Sequence, residues 1–352
     1  MLKAFKYLSP VLLYCLALLS FTYTGIVVWW PLIHAWILIP LMEIFLKPNA
    51  ANLSEVETDL AKENKWFDRM LYVIVFFQYV TLIFFLLSFR QTGLTNWDIA
   101  GRIGTMGLLC GTFGINVAHE LGHRSTKYEQ WMAKALLATS LYMHFFIEHN
   151  KGHHKYVATP QDPSSARLNE PIYFFYVRTI FFSYLSAWKI ANNDCRKKKT
   201  NVFSLHNEMI QAHLWQALLL SVIFSISGGL ITLYFIAAAA IGIALLETVN
   251  YIEHYGLQRK QTLTGYERAM PHHSWNSNHP IGRMMLFELS RHSDHHFMAS
   301  RKYQLLQHHD DAPQLPTGYP GSMILALITP AWFYVMNKKI RKIENQSMVH
   351  SP

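Results

Sequence analysis

The chain has 352 residues, 51% of them hydrophobic and 15% charged, with 22 Phe, 18 Tyr and 10 Trp, a balance that excludes an ordinary soluble domain and points to a membrane protein. A mean hydropathy of only +0.11 requires a sizeable polar portion outside the bilayer. The formal charge of +9 falls in blocks that follow membrane topology, and no basic stretch interleaves aromatics as nucleic-acid binding demands.

Apolar runs of about 20 residues, each enough for roughly 30 Å of helix, occupy 7–24, 26–46, 70–89 and 99–118. Two more, 210–227 and 230–250, meet at a tight Gly228-Gly229 turn. They predict an all-α integral membrane protein, a single domain over 1–352, with six transmembrane helices in three hairpins and a polar cap built from 119–209 and 251–352. Lys3 and Lys6 precede the first run, Lys47, Lys62, Lys65 and Arg69 surround the second loop, and Lys and Arg are dense from Arg124 to Lys199. The opposite turns hold almost only Arg90, so the positive-inside rule puts both termini and the cap in the cytoplasm. A signal peptide is rejected because a second span follows at once with no A-x-A site between. Gly107 and Gly111, four apart, predict close helix packing. The segment 172–190 mixes aromatics with Arg178 and Lys189 and reads as an amphipathic interfacial helix, since a seventh crossing would divide the histidine clusters between two faces. The apolar piece 322–336 is short for a span.

Nine of the 19 histidines fall in four clusters. These are HELGH (His119, His123), EHNKGHH (His149, His153, His154), EHYG (His254) and RHSDHH (His292, His295, His296). Residues three or four apart share a helix face, so each multi-histidine cluster is expected to aim its rings at one point. Neutral imidazole is the commonest metal ligand, and nine exceed what one ion takes; two metals are expected. The first cluster begins where the fourth span ends and His254 lies just past the sixth, so all nine can converge beneath the bundle. Iron is preferred over zinc, because two closed tetrahedra hold fewer than nine ligands and zinc has no redox chemistry. Glu120, Glu148, Glu253 and Asp294 stand beside the clusters and are expected to accept the outer imidazole N–H groups; the alternative is that they face water.

HELGH also satisfies the zinc-protease pattern H-E-x-x-H, with Glu120 as general base. That enzyme needs one further ligand, which leaves the other clustered histidines unexplained. A metal store or sensor is the non-catalytic alternative. His34 and His144, single in apolar runs, read as packing, and His272, His273, His279, His308 and His309 as outer or solvent-facing. Cys15, Cys110 and Cys195 form no CxxC pair and no G-x-G-x-x-G follows a strand-like run, so electrons must arrive from another protein.

In order, HELGH, EHNKGHH, NYIEHYG and LSRHSDHH, with the linking stretches ATPQDPSSAR (158–167), SWNSNHPIGRMMLFELSRHSDHH (274–296) and LPTGYPGSMILAL (315–327), resemble the membrane alkane hydroxylase family over about residues 70–336. NYIEHYG distinguishes this pattern from the fatty-acid desaturases and is shared with xylene monooxygenases. The resemblance implies six membrane helices in a bacterial inner membrane and the nine histidines as ligands of two iron ions on the cytoplasmic side. It further implies hydroxylation of the terminal methyl of medium-chain n-alkanes with O2 and electrons from rubredoxin and its NADH-dependent reductase. A hydroxylase of aromatic methyl or fatty-acyl substrates is the neighbouring reading. Alkanes partition into lipid, so the substrate is expected in an apolar slot between spans, with Trp29, Trp30 and Phe76 as candidate walls. The basic run Arg196–Lys199 is suited to drawing in a small acidic donor.

Overall fold

The computed structural model describes residues 2–349. Met1 and residues 350–352 of the predicted single domain, and the side chain of Lys3 in the charge count, lie outside the described residues. Among these, strand is confined to one hairpin, Gln261–Thr262 against Gly265–Tyr266; helix makes up most of the rest.

Helix α1 (Ser9–Thr22) is followed by α2 (Gly25–Phe45), the short α3 (Glu55–Glu63) and α4 (Trp66–Ser88). Helix α5 runs through Asn96–Leu109, a wider π-helical stretch Cys110–Ile115, and Asn116–Gly122. Next come α6 (Lys127–Thr139), then α7, three short pieces Phe145–Glu148, His149–His153 and His154–Tyr156, and α8 (Ile172–Lys197). Helix α9 covers Glu208–His254. It is followed by α10 (Pro280–Met285), α11 (His292–Phe297), α12 (Tyr319–Leu327) and α13 (Thr329–Val349).

By length and composition α2, α4 and α9 can each cross a membrane, and α12 with α13 can do so only together, at a bend of 120°. The first predicted span is a shorter apolar helix, Lys6–Thr22. The fourth lies in α5, which owes its lower hydropathy to polar groups that are buried and satisfied. Arg102 donates to the carbonyls of Ser20, Tyr23 and Ser88 at 3.3, 2.9 and 2.7 Å, tying the ends of α1 and α4 together. Helix C-terminal carbonyls lack intrahelical partners and carry partial negative charge, which a guanidinium fork satisfies. Asp98 completes a capping box with Thr95 and also accepts the Gly25 amide at 2.7 Å.

Helix α9 is two helices joined at Gly228, whose φ of 78° and ψ of 173° suit a residue without Cβ. Contacts along it show that it doubles back. Glu208 pairs with Lys151 near the histidines, Tyr234 packs on Phe89 at the far end of α4, and His254 rejoins the histidines. The Gly228-Gly229 turn is therefore where the sequence puts it. Close packing at Gly107 and Gly111 is also present: a Cβ there would lie 2.6 Å from Ile241 Cβ and 2.8 Å from Leu245 Cβ, so α5 and α9 touch at backbone level. Helix α8 is longer than expected but amphipathic, burying Phe175, Thr179, Ser183 and Ala187 and exposing Phe174, Val177, Phe181 and Leu185.

Candidate metal centre

The nine clustered histidines form two groups at the end of the bundle. His119, His123, His149, His154 and His295 make one, and His153, His254, His292 and His296 the other; within each group the ligand atoms lie within 4.8 Å of one another. The rings meet through Nε2: His119–His295 and His149–His154 at 2.9 Å, His154–His295 at 3.0 Å, and His292–His296 at 2.8 Å. In the second group His153–His296 and His254–His292 are both 3.2 Å apart. Neighbouring ligands about 2.1 Å from one metal and at right angles are separated by roughly 3.0 Å, so the spacing is that of ligands sharing an ion.

Protonation is arranged to match. Burial, then the charge of His153 and Arg124, pulls His123 down to about 3. His149, His154, His295 and His296 are also lowered, first by burial and then by neighbouring rings. A neutral ring has one lone-pair nitrogen to offer, and where three Nε2 atoms crowd together, as those of His149, His154 and His295 do, a cation among them satisfies the lone pairs that N–H···N hydrogen bonding leaves over. The donor set therefore fits a pair of metal ions.

The sequence clusters do not each serve one point. His153 joins the second group while its neighbours His149 and His154 serve the first, and His295 likewise parts from His292 and His296. The reason is local. The π-helical turn His149–His153 carries about one extra residue per turn, which brings Nε2 of His154, five residues on, to 2.9 Å from that of His149, while His153, its ring 5.1 Å from that of His149, sets its Nε2 against His296.

The carboxylates behave differently from one another. Glu120 accepts from the Tyr303 amide at 3.2 Å and pairs with Arg124 at 2.7 Å, turned away from the histidines. A zinc-protease role, which requires Glu120 as base at the metal, has no support in that geometry. Asp294 accepts from Arg301, the Gln307 amide and His309, which pins the chain after α11 and touches no clustered ring. Glu148 accepts a long 3.4 Å bond from Ser186, and burial, then the nearby Asp162 charge, pushes it up to about 8. Glu253 lies on the inner side: Oε2 is 3.1 Å from Nε2 of His292, and Oε1 accepts from the Tyr319 hydroxyl at 2.7 Å. The outer-face acceptor is a residue that sequence reading missed. Asp162 stands 2.9 Å from Nδ1 of His153 and is itself held by the Ser164 amide and the Ser165 hydroxyl. Its only trace in sequence is the carboxylate in ATPQDPSSAR. The lone histidines stay outside: His273 meets Glu267, His272 meets Asp311, and His144 packs on Tyr142.

Above the histidines an apolar cavity opens between α1, α2, α5 and α9, with α10 and α12 closing its side. Leu13, Ile39, Leu108, Ile115, Leu245 and Val249 line it, and His119, His149, His292 and Glu253 reach its base. Trp29, Trp30 and Phe76 are not among its walls: Trp29 packs at a tilt on Trp97, ring centroids 4.6 Å apart, and Trp30 and Phe76 are 41% and 65% exposed.

Residues 100–323 match the fatty acid desaturase family. The chain is 37% identical over 313 residues to alkane 1-monooxygenase 1 of Alcanivorax borkumensis, covering 88% of this chain and 77% of that one. It is 44% identical over 249 residues to alkane 1-monooxygenase 1 of Pseudomonas aeruginosa, covering 70% and 65%. The hydroxylase component XylM of the Pseudomonas putida xylene/toluene monooxygenase is 30% identical over 244 residues, covering 68% and 64%.

Proposed function

Since the chain belongs to the alkane 1-monooxygenases, within the fatty acid desaturase family, we propose that it hydroxylates the terminal methyl of medium-chain n-alkanes. The observation that carries this reading is the placement of two groups of Nε2 atoms at the base of an apolar cavity. The nine histidines hold two iron ions, and bound iron supplies the redox chemistry by which one atom of O2 enters a C–H bond and the other leaves as water. That balance takes two electrons and two protons per turnover; with no CxxC or flavin motif here, rubredoxin and its reductase supply the electrons.

The chain's own side chains do the rest. Apolar walls with few polar groups hold an alkane by excluding water from it, and a slot that ends at the histidines presents a terminal methyl by position. Glu253 and the Tyr319 hydroxyl, hydrogen-bonded to each other at the base of the cavity, are groups able to hold a proton on the cavity side of His292. Asp162 fixes the His153 ring with Nδ1–H outward, leaving Nε2 free for metal. The six helical passes of α1, α2, α4, α5 and the two arms of α9 are taken as six spans of one domain in a bacterial inner membrane, with both termini and the metal centre in the cytoplasm.

Membranes carrying the protein, supplied with rubredoxin, its reductase, NADH and an alkane series, yield 1-alkanols on gas chromatography. No alcohol from any alkane, with xylene methyl groups oxidised instead, overturns the alkane assignment in favour of the reading that the XylM similarity supports.

A further inference from the structure

A second cleft opens between α8 and the 151–167 segment, on the outer side of the metal centre. Its walls carry Lys151, Lys155, Arg167, Arg178, Lys189 and Lys197 against only Asp162 and Asp194. Lys151 is neutralised by Asp194 and Glu208, and Arg178 by Glu170. Among the described residues, Lys155, Arg167, Lys189 and Lys197 meet no carboxylate at ion-pair distance. Four unneutralised cations facing one concavity raise its potential and draw an anion into it.

The rest of the wall says which anion. Phe182 and Leu185 line the same cleft and continue into the exposed apolar stripe of α8, where Phe174, Val177 and Phe181 are more than half exposed at 71%, 73% and 57%. A soluble acidic protein would satisfy the charges and leave this stripe in water. A lipid satisfies both, with its headgroup among the cations and its acyl chains along the stripe. We propose that the cleft binds an anionic phospholipid of the phosphatidylglycerol class. The cleft floor is the loop holding Asp162, the partner of His153, so a headgroup seated there braces that loop against α8. Lipid binding in this cleft needs the membrane and not the reaction.

The test is native mass spectrometry of the full-length protein released from nanodiscs that hold phosphatidylglycerol and phosphatidylcholine with matched chains, with inorganic phosphate as competitor. The wild type retains phosphatidylglycerol preferentially. The double variant Lys189→Glu/Lys197→Glu, both surface residues, loses that preference by about tenfold or more while its Tm in pure phosphatidylcholine is unchanged. The control Lys62→Glu/Lys65→Glu keeps it. The proposal fails if the control loses the preference equally, which would mean diffuse charge, or if inorganic phosphate displaces the lipid fully, which would mean a free-anion site. It fails too if lipid retention is unaltered while the KM for an acidic electron carrier rises, which would make the cleft a protein docking surface.

Discussion

Nδ1 of His153 lies 2.9 Å from Oδ2 of Asp162, and both side chains are fully buried. Burial works to lower this ring, but Asp162, joined by the charges of Glu148 and Glu253, more than offsets it, and His153 is raised where the other clustered rings are lowered. A carboxylate acceptor at Nδ1 favours the tautomer with its proton there, which turns the lone pair of Nε2 toward the other histidines.

Asp162→Asn keeps the shape and removes the charge. Outer carboxylates of metal-bound histidines are typically worth 10–100-fold in metal affinity, and a loss of that size is expected here for the second group. Chelator competition followed by elemental analysis measures it, and far-UV circular dichroism should be unchanged. Asp294→Asn, by contrast, should leave metal affinity near wild type and loosen the segment that Arg301 and His309 hold. Equal metal loss in the two variants would contradict the different roles assigned to them.

Arg102 is the only side chain serving the end carbonyls of α1 and α4 together with Tyr23, among the described residues. Arg102→Met removes the charge and strands the carbonyls of the buried Ser20 and Ser88. The expected loss is about 3 kcal/mol or more, read as a large fall in detergent Tm. Arg102→Lys, with one donor head in place of a fork, should recover only part of it.

Helix contacts separate two glycines that look alike in sequence. At Gly104 an added methyl meets the tip of Leu32, Cδ1 at 2.9 Å, which can rotate away; at Gly107 it meets Ile241 Cβ at 2.6 Å and the Ala238 carbonyl at 3.0 Å. Gly107→Ala should cost about 1–3 kcal/mol and Gly104→Ala much less. Thermal unfolding of both variants in one detergent checks the ranking.

Features that depend on chemistry were legible in the sequence. Imidazoles at helical spacing announced that the nine histidines gather in groups able to hold metal, and paired glycines marked both the α9 turn and the α5–α9 contact. Features that depend on which way a side chain faces were not. Around Trp29 and Phe76 the sequence is apolar on every side, so no periodicity separates inward from outward positions. The apolar cavity beside the histidines is lined by ordinary leucines and isoleucines, Leu13, Ile39, Leu108, Ile115 and Leu245 among them. Asp162 was hidden because it lies in a loop nine residues from His153, where no helical spacing rule reaches.

The division of EHNKGHH between two groups gives the sharpest expectation. If spacing alone ruled, neighbours His153 and His154 would serve one ion and their alanine variants would be equivalent. Their Nε2 atoms meet different partners instead: that of His154 is 3.0 Å from His295, whereas that of His153 is 3.2 Å from His296. His154→Ala removes one of five donors, and four remain; His153→Ala reduces the second group to His254, His292 and His296 and discards the ring that Asp162 holds. The quartet should therefore lose its ion more readily. Purified His153→Ala is expected to carry about one iron where the wild type carries two, with the remaining ion still in the five-histidine group, while His154→Ala retains more than one. Elemental analysis gives the stoichiometry and Mössbauer spectra of 57Fe-labelled protein identify the surviving environment. Identical spectra from the two variants would show that adjacent histidines share an ion after all.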